Sequence, residues 1–274
     1  MASWVAAKIA FHPPAPPRYD IISDGRTLKL RVRDVPEERG EVLRLRTKTG
    51  NYIVCVYVRG RQLATSPAAA AAALTVLYSH GNATDIGEMF SFITDLSDQL
   101  GVNVMAYDYS GYGRSTGEAS EGETYADIEA AYKCLRETYG VKEENIVLYG
   151  QSLGSGPTVD LAIRVPRLRA VILHSGLLSG FRAFFGSLYF LNRSLYFDIY
   201  QNVDKIPFVN CRVLVIHGTS DEVVSFFHGE ELYRLCKFKY EPLWVKGGKH
   251  NDLVFNFSNL FWTHLKKFIS AIKS

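Results

Sequence analysis

The chain has 274 residues, 47% hydrophobic and 22% charged, with a formal net charge of +3. That length and balance suit one large α/β domain with a sizeable core. So small a net charge, with no basic cluster interleaved with aromatics, sets nucleic acid aside as a partner.

Residues 1–20 read as a lead-in. Trp4, Val5, Ile9 and Phe11 could line one face of a short helix, which would either lie on a membrane surface or pack on its own domain. The run His12-Pro-Pro-Ala-Pro-Pro17 then requires extended chain. No secretory leader is recognisable, because Lys8 interrupts the first apolar patch and no small-residue cleavage site follows. The apolar run Ala68 to Tyr78 is about half the length needed to span a bilayer. Ala2, not glycine, follows Met1, and no cysteine lies near either terminus, so no lipid anchor is expected. Cys55, Cys134, Cys211 and Cys236 show neither C-x-x-C nor zinc-ligand spacing and read as reduced thiols. The expectation is a cytoplasmic monomer without metal or cofactor, touching membranes at most through its N-terminal segment.

Residues 21–274 read as a single domain. Leu28, Leu30 and Val32 alternate with Lys29, Arg31 and Arg33, the pattern of a half-buried strand with a basic outer face. After a turn at Asp34 to Gly40, Leu43 and Leu45 alternate with Arg44 and Arg46, and the strand Tyr52 to Val58 follows. An antiparallel meander at a sheet edge is expected. Its arginines could meet anionic lipid or simply be solvated. Pro67 and Ala68 to Ala73 look like a low-complexity insertion.

From Leu74 the rhythm changes. Strands are expected at Leu74 to Ser79, Val102 to Tyr107, Ile146 to Tyr149, Ala170 to Leu173, Val213 to Ile216 and Pro242 to Val245. Helices are expected at Ile86 to Leu100, Thr124 to Tyr139, Leu153 to Val165, Ser225 to Cys236 and Phe257 to Ile272. Such alternation gives a mostly parallel, doubly wound sheet whose functional residues lie on loops at the strands' carboxyl ends.

One of those ends is distinctive. Gly150-Gln-Ser-Leu-Gly154 is a G-x-S-x-G sequence between a buried strand and a helix, the setting of a nucleophile elbow. So abrupt a turn strains the backbone at Ser152 and leaves no room for side chains at Gly150 and Gly154. The serine hydroxyl should point into solvent, with the N–H of Leu153 facing any oxyanion formed beside it. A glycine-rich helix entry with an incidental serine is the bland alternative.

A nucleophilic serine needs a base, and the base an orienting acid. Of seven histidines, His250 lies in the loop Lys246-Gly-Gly-Lys-His-Asn-Asp252 between the last strand and the last helix. Asp221 follows the strand ending at His217. The order Ser152, Asp221, His250 is that of α/β-hydrolase triads. Singly, Asp221 could cap a helix and His250 could be a surface residue; together, at three strand ends, they point to catalysis. Asp252 is a reserve acid, and Asp108 and His80 read as structural. The second oxyanion donor is expected from the backbone N–H of Asn82, after Gly81. Between the strands near 170 and 213, an aromatic cap (about 178–204) carries Phe181, Phe184, Phe185 and Tyr189. These rings could hold a long acyl chain or merely pack on the sheet.

Several segments carry a resemblance: Ser79-His-Gly-Asn-Ala83, Tyr107-Asp-Tyr-Ser-Gly-Tyr-Gly113, Leu148-Tyr-Gly-Gln-Ser152, Pro157-Thr-Val-Asp-Leu-Ala162 and His217-Gly-Thr-Ser-Asp-Glu-Val223. In these the chain resembles the alpha/beta hydrolase domain-containing 17 family, most closely its plant-like members. The resemblance implies an α/β-hydrolase fold, a triad at Ser152, Asp221 and His250, and removal of palmitate from cysteines of S-acylated proteins. Two departures stand out. The N-terminal cysteine cluster of animal members is absent from Met1 to Ala7, and a His-Ser-Pro strand end reads His174-Ser-Gly176. From the residues alone, thioester, ester and amide substrates stay open, as does a non-catalytic ligand-binding module.

Overall fold

The computed structural model describes residues 10–23, 25, 27–32, 39–61, 73–184 and 198–273, with no side-chain description at Phe184. Short β-branched and aromatic runs form its strands. β1 (Tyr19–Ser23) and β2 (Leu28–Val32) make a small antiparallel sheet. The main sheet comprises β3 (Glu41–Arg46), β4 (Tyr52–Val58), β5 (Thr75–Ser79), β6 (Asn103–Tyr107), β7 (Ile146–Gln151), β8 (Ala170–His174), β9 (Arg212–Gly218) and β10 (Leu243–Val245). Its order is β10-β9-β8-β7-β5-β6-β4-β3. β4 runs antiparallel to both β3 and β6, and the strands from β6 across to β10 are mutually parallel.

The two-residue period of the strands divides the core between the sheet's faces. Cys55, Leu77, Leu148, Val171 and Val213 point to one face, beneath Ile128, Ala131 and Leu135 of α2 (Glu121–Glu137) and Val159 of α3 (Ser155–Arg164), which follows α1 (Phe90–Leu100) and α2 in the chain. Val56, Tyr78, Tyr149, Ile172 and Leu214 point to the other, where α1 supplies Ile93 and Leu96. Further along the chain come α4 (Gly180–Phe184), α5 (Asn202–Lys205), α6 (Phe226–Leu235), α7 (Leu253–Asn256) and α8 (Ser258–Lys273). From α8, Phe261, Leu265 and Phe268 complete the second face. Each such side chain contributes about 1.5–3 kcal/mol on burial. Because β5 to β8 are covered on both sides, they read as continuous apolar runs. The four cysteines are free and buried.

Three expectations need correction. The strand at Leu28 to Val32 exists but lies outside the main sheet; it pairs with Tyr19–Ser23, part of which falls in the expected lead-in. The helix expected from Ile86 begins at Phe90, because Ile86 to Met89 form a turn against the lead-in. A methyl group on Gly87 would lie 2.7 Å from the Tyr19 Cβ. The helix expected from Thr124 begins earlier, at Glu121, because Ser120 caps it by accepting the Glu123 N–H. Of the expected N-terminal amphipathic face, Phe11 is buried on the domain, while Trp4, Val5 and Ile9 lie outside the described residues. So do Asp34 to Glu38 of the expected turn, Pro67 and most of the alanine run.

Strand register aligns the ends that matter. Ser79 pairs with Gly150, Gln151 with His174, His174 with Ile216 and Val245 with Gly218. The loops after β5, β7, β9 and β10 therefore emerge along one edge of the sheet.

Candidate active site

β7 runs into a single 3-10 turn, Ser152–Gly154, and then α3. Ser152 sits at φ +49, a left-handed conformation that a non-glycine residue rarely adopts. The flanking glycines are sterically required. A methyl group on Gly150 would lie 2.6 Å from both the Gly154 carbonyl oxygen and Thr158 Oγ1. One on Gly154 would lie 2.1 Å from the Ser79 carbonyl oxygen. The conflict is thus with the backbone of Gly154 itself, with the start of α3 and with the end of β5.

The hydroxyl of Ser152 meets the imidazole of His250, with Oγ 3.0 Å from Nε2. On the far side of the ring, Nδ1 lies 2.8 Å from Asp221 Oδ2. A carboxylate only accepts, so Nδ1 carries the hydrogen and Nε2 is left to accept from Ser152. The structure thus brings all three expected residues into one row. Contrary to expectation, Ser152 is only 8% exposed and does not stand in open solvent. The turn after β5 runs beside it, since a methyl group on Gly81 would lie 3.8 Å from the Ser152 Cβ. His250 is buried too, not a surface residue.

Asp221 is held from several sides. Its Oδ1 accepts the N–H groups of Val223 (2.9 Å) and Val224 (2.8 Å). This is a turn-forming role that coexists with its place in the relay. His217 at the end of β9 adds a contact that the sequence did not suggest. Its Nε2–H donates to the Val224 carbonyl and lies 3.2 Å from Asp221 Oδ2. Burial raises the Asp221 carboxyl, but hydrogen bonds from His217 and His250 outweigh it and hold the group well below the usual carboxylate range. Asp252 is not in the row; it accepts from the Lys249 N–H at 2.8 Å and braces the His250 loop. Asp108 accepts from Tyr19 and from the Ile86 N–H, a structural role.

Leu153 follows the serine at the start of the 3-10 turn, and Asn82 follows Gly81 in the turn beside Ser152. Of the expected cap residues, Phe181 is half-buried, and its N–H donates to Asp198 Oδ1. The side chain of Phe184, and Phe185 and Tyr189 entirely, lie outside the described residues. Tyr200, at the far end of the cap, is fully buried against Gly156 and Phe11 and serves packing. On either side of Gly176, where the cap starts, the backbone is tied down: the Ser175 N–H donates to the Ile216 carbonyl and the Leu177 N–H to Ser155 Oγ. Among the described residues no group of three His, Cys, Asp or Glu side chains is placed to hold a metal ion, and no helix is long and apolar enough to cross a membrane.

Fold and relay together define a serine hydrolase of the α/β-hydrolase class. The chain is 42% identical to alpha/beta hydrolase domain-containing protein 17B of Homo sapiens over 276 residues, covering 97% of this chain and 91% of that protein. It is 47% identical to protein 17C of Mus musculus over 230 residues, covering 84% and 68%. The chain belongs to the alpha/beta hydrolase domain-containing 17 family. A broader family model, described as serine aminopeptidase S33, matches residues 70–191. Among solved structures, the Pyrococcus furiosus esterase Pf2001 superposes with a TM-score of 0.68 at 20% identity, covering 85% of this chain and 92% of that one. A Mycobacterium tuberculosis puromycin-hydrolyzing peptidase gives 0.67 at 16% identity, covering 90% and 43%. At such identities the likeness is one of fold.

Proposed function

We propose that the chain is an acyl hydrolase that removes long fatty acyl groups, palmitate above all, from cysteine thioesters of S-acylated proteins. The imidazole bridging the Ser152 hydroxyl and the Asp221 carboxylate is the observation that carries the hydrolase part of this reading. His250 Nε2 takes the hydroxyl proton as Ser152 Oγ bonds to the acyl carbon. The backbone N–H groups of Leu153 and Asn82 receive the oxyanion. As the intermediate collapses, the C–S bond breaks and the cysteine sulfur takes the proton from His250. A thiol of pKa about 8.5 leaves with little acid assistance, so the thioester is the easiest substrate for this machinery. Water then repeats the attack, its proton passing to His250, and the free fatty acid departs as Ser152 is restored. The choice of palmitoyl-cysteine over a simple ester or a peptide amide rests on the family resemblance. Phe181 and its aromatic neighbours in the sequence would hold the chain, at about 0.8 kcal/mol per buried methylene. Cytoplasmic residence, peripheral membrane contact through residues 1–9 and a monomeric state belong to the same proposal.

The test is hydrolysis of a palmitoyl-cysteine peptide beside shorter acyl thioesters, p-nitrophenyl esters and a peptide amide. The wild type should cleave the long thioester and be labelled by a fluorophosphonate, and Ser152→Ala should do neither. Cleavage of p-nitrophenyl acetate without any long thioester would end the depalmitoylase assignment. Failure of the probe to distinguish wild type from Ser152→Ala would favour a binding module.

A further inference from the structure

The extended lead-in ahead of β1 meets the turn after β5 at a single side chain. Asn82 Nδ2 donates to the Ala10 carbonyl at 2.7 Å, and its Oδ1 accepts the His12 N–H at 3.0 Å. Tyr112, at the far side, donates its hydroxyl to the same Oδ1 at 2.6 Å and accepts the His12 N–H at 3.1 Å. Three segments about 70 and 100 residues apart in sequence thus close a ring of hydrogen bonds around one carboxamide. The amide is oriented without ambiguity, because its oxygen faces donors and its nitrogen faces a carbonyl.

The lead-in is held there by packing. Ala10 and Phe11 are 3% and 6% exposed, and the Phe11 ring meets the edge of Tyr200 at 6.1 Å between centroids. Further along, the Arg18 N–H donates to Asp85 Oδ2 at 2.7 Å, so the strap covers the turn from 82 to 85. That turn needs holding. Ala83 adopts φ +56, and its N–H folds back onto the Asn82 side chain at 3.0 Å.

We propose that residues Ala10 to His12, acting with Tyr112, are positioning residues for the oxyanion hole. They fix the Asn82 side chain, and through it the direction of the Asn82 backbone N–H, beside Ser152. The proposal rests on the hydrolase reading given above. Its consequence is that a stretch of chain far from the triad in sequence controls the chemical step. Because the N–H acts on charge that appears only in the transition state, loosening it lowers kcat and leaves KM in place.

The test uses the full chain and p-nitrophenyl butyrate. Asn82→Ala keeps the N–H and removes the clamp; Tyr112→Phe removes one hydroxyl and keeps the ring; Phe11→Ala loosens the strap without touching substrate. Loss of one oxyanion donor costs about a hundredfold to a thousandfold. A misdirected donor is therefore expected to lower kcat about tenfold to a hundredfold in Asn82→Ala, and less in the other two. KM should stay within about twofold, and a phosphonate transition-state analogue should weaken in parallel. The loss in Phe11→Ala should vanish in the Asn82→Ala background, since both act through one carboxamide. Unchanged kcat in Asn82→Ala and Tyr112→Phe overturns the proposal. So does a rise in KM in place of the fall, or full additivity with Phe11→Ala. A wild type that neither turns over nor labels at Ser152 would instead remove the hydrolase reading, which separates the two failures.

Discussion

Replacing Asp221 with asparagine changes one polar atom of the relay and leaves its volume alone. Asp221 Oδ1 accepts two backbone N–H groups, from Val223 and Val224, so an asparagine oxygen stays on that side. Its NH2 then occupies the position 2.8 Å from His250 Nδ1. Two donors cannot face each other, so Nδ1 gives up its hydrogen and accepts, and the ring's hydrogen moves to Nε2. At 3.0 Å from Ser152 Oγ, that nitrogen can no longer take the serine's proton. Loss of the correct tautomer in a serine triad costs about ten-thousandfold in kcat, or roughly 5 kcal/mol of barrier. The same NH2 also faces the His217 Nε2–H at 3.2 Å, but that donor keeps the Val224 carbonyl at 2.8 Å as its partner, so the fold should be retained with some loss of stability. The assay is steady-state hydrolysis of p-nitrophenyl butyrate with a parallel melting curve. Asp252→Asn is the control and should stay within about threefold of wild type, on the order expected for a group outside the relay. A loss below tenfold in Asp221→Asn, or an equal loss in Asp252→Asn, would refute the assignment of Asp221 as the orienting acid.

Gly154→Ala should abolish soluble, active protein, because its methyl would sit 2.1 Å from the backbone oxygen of Ser79, and backbone cannot swing aside; normal yield and melting temperature would contradict the tight elbow. Burial pushes His174 down to about 3 and His228 down to about 4. Their unfolded forms bind protons first as pH falls below about 6.5, so stability should drop from there to about pH 4, by about 3 kcal/mol for His228 alone; denaturant titrations at pH 7 and 4.5 measure it. Burial likewise pushes Asp127 up to about 7, while it accepts from the N–H and hydroxyl of Ser110. The folded state then holds the extra proton between about pH 4 and 7, so this group costs stability as pH rises through that window, and Asp127→Asn should steepen the gain in stability from pH 4.5 to 7. An unchanged pH slope in that variant would show that the carboxyl is ionised throughout.

The relay was legible because each of its parts has a local signature. The elbow is written in two glycines that sterics demand, and Asp221 and His250 follow apolar runs that end as strands should. The strand and helix alternation after Leu74 gave the doubly wound sheet, with boundaries shifted by a few residues. The early start at Glu121 had a signal in Ser120 and Glu123, the spacing of a capping box. Other features had none. The strand Tyr19–Ser23 is stabilised by its partner and by the Tyr19 hydroxyl on Asp108, 89 residues away, and its own sequence does not alternate clearly. The burial of Ser152 depends on the turn at Gly81, and the support of Asp221 by His217 depends on how the loop after β9 folds back. The Asn82 carboxamide is a hub only because three distant segments converge on it. Such convergence leaves no periodicity to read, since it is set by tertiary packing and not by local propensity.

Cys55, Cys134, Cys211 and Cys236 share one chemical fate. Burial pushes each thiol up, Cys211 and Cys236 to about 12. Near neutrality almost none of this sulfur is thiolate, the form that attacks an acyl carbonyl. In the proposed reaction a fatty chain handed to Ser152 therefore meets no rival thiolate among the chain's own four cysteines. Self-acylation of those buried thiols is disfavoured, and in the proposed reaction water takes the acyl group.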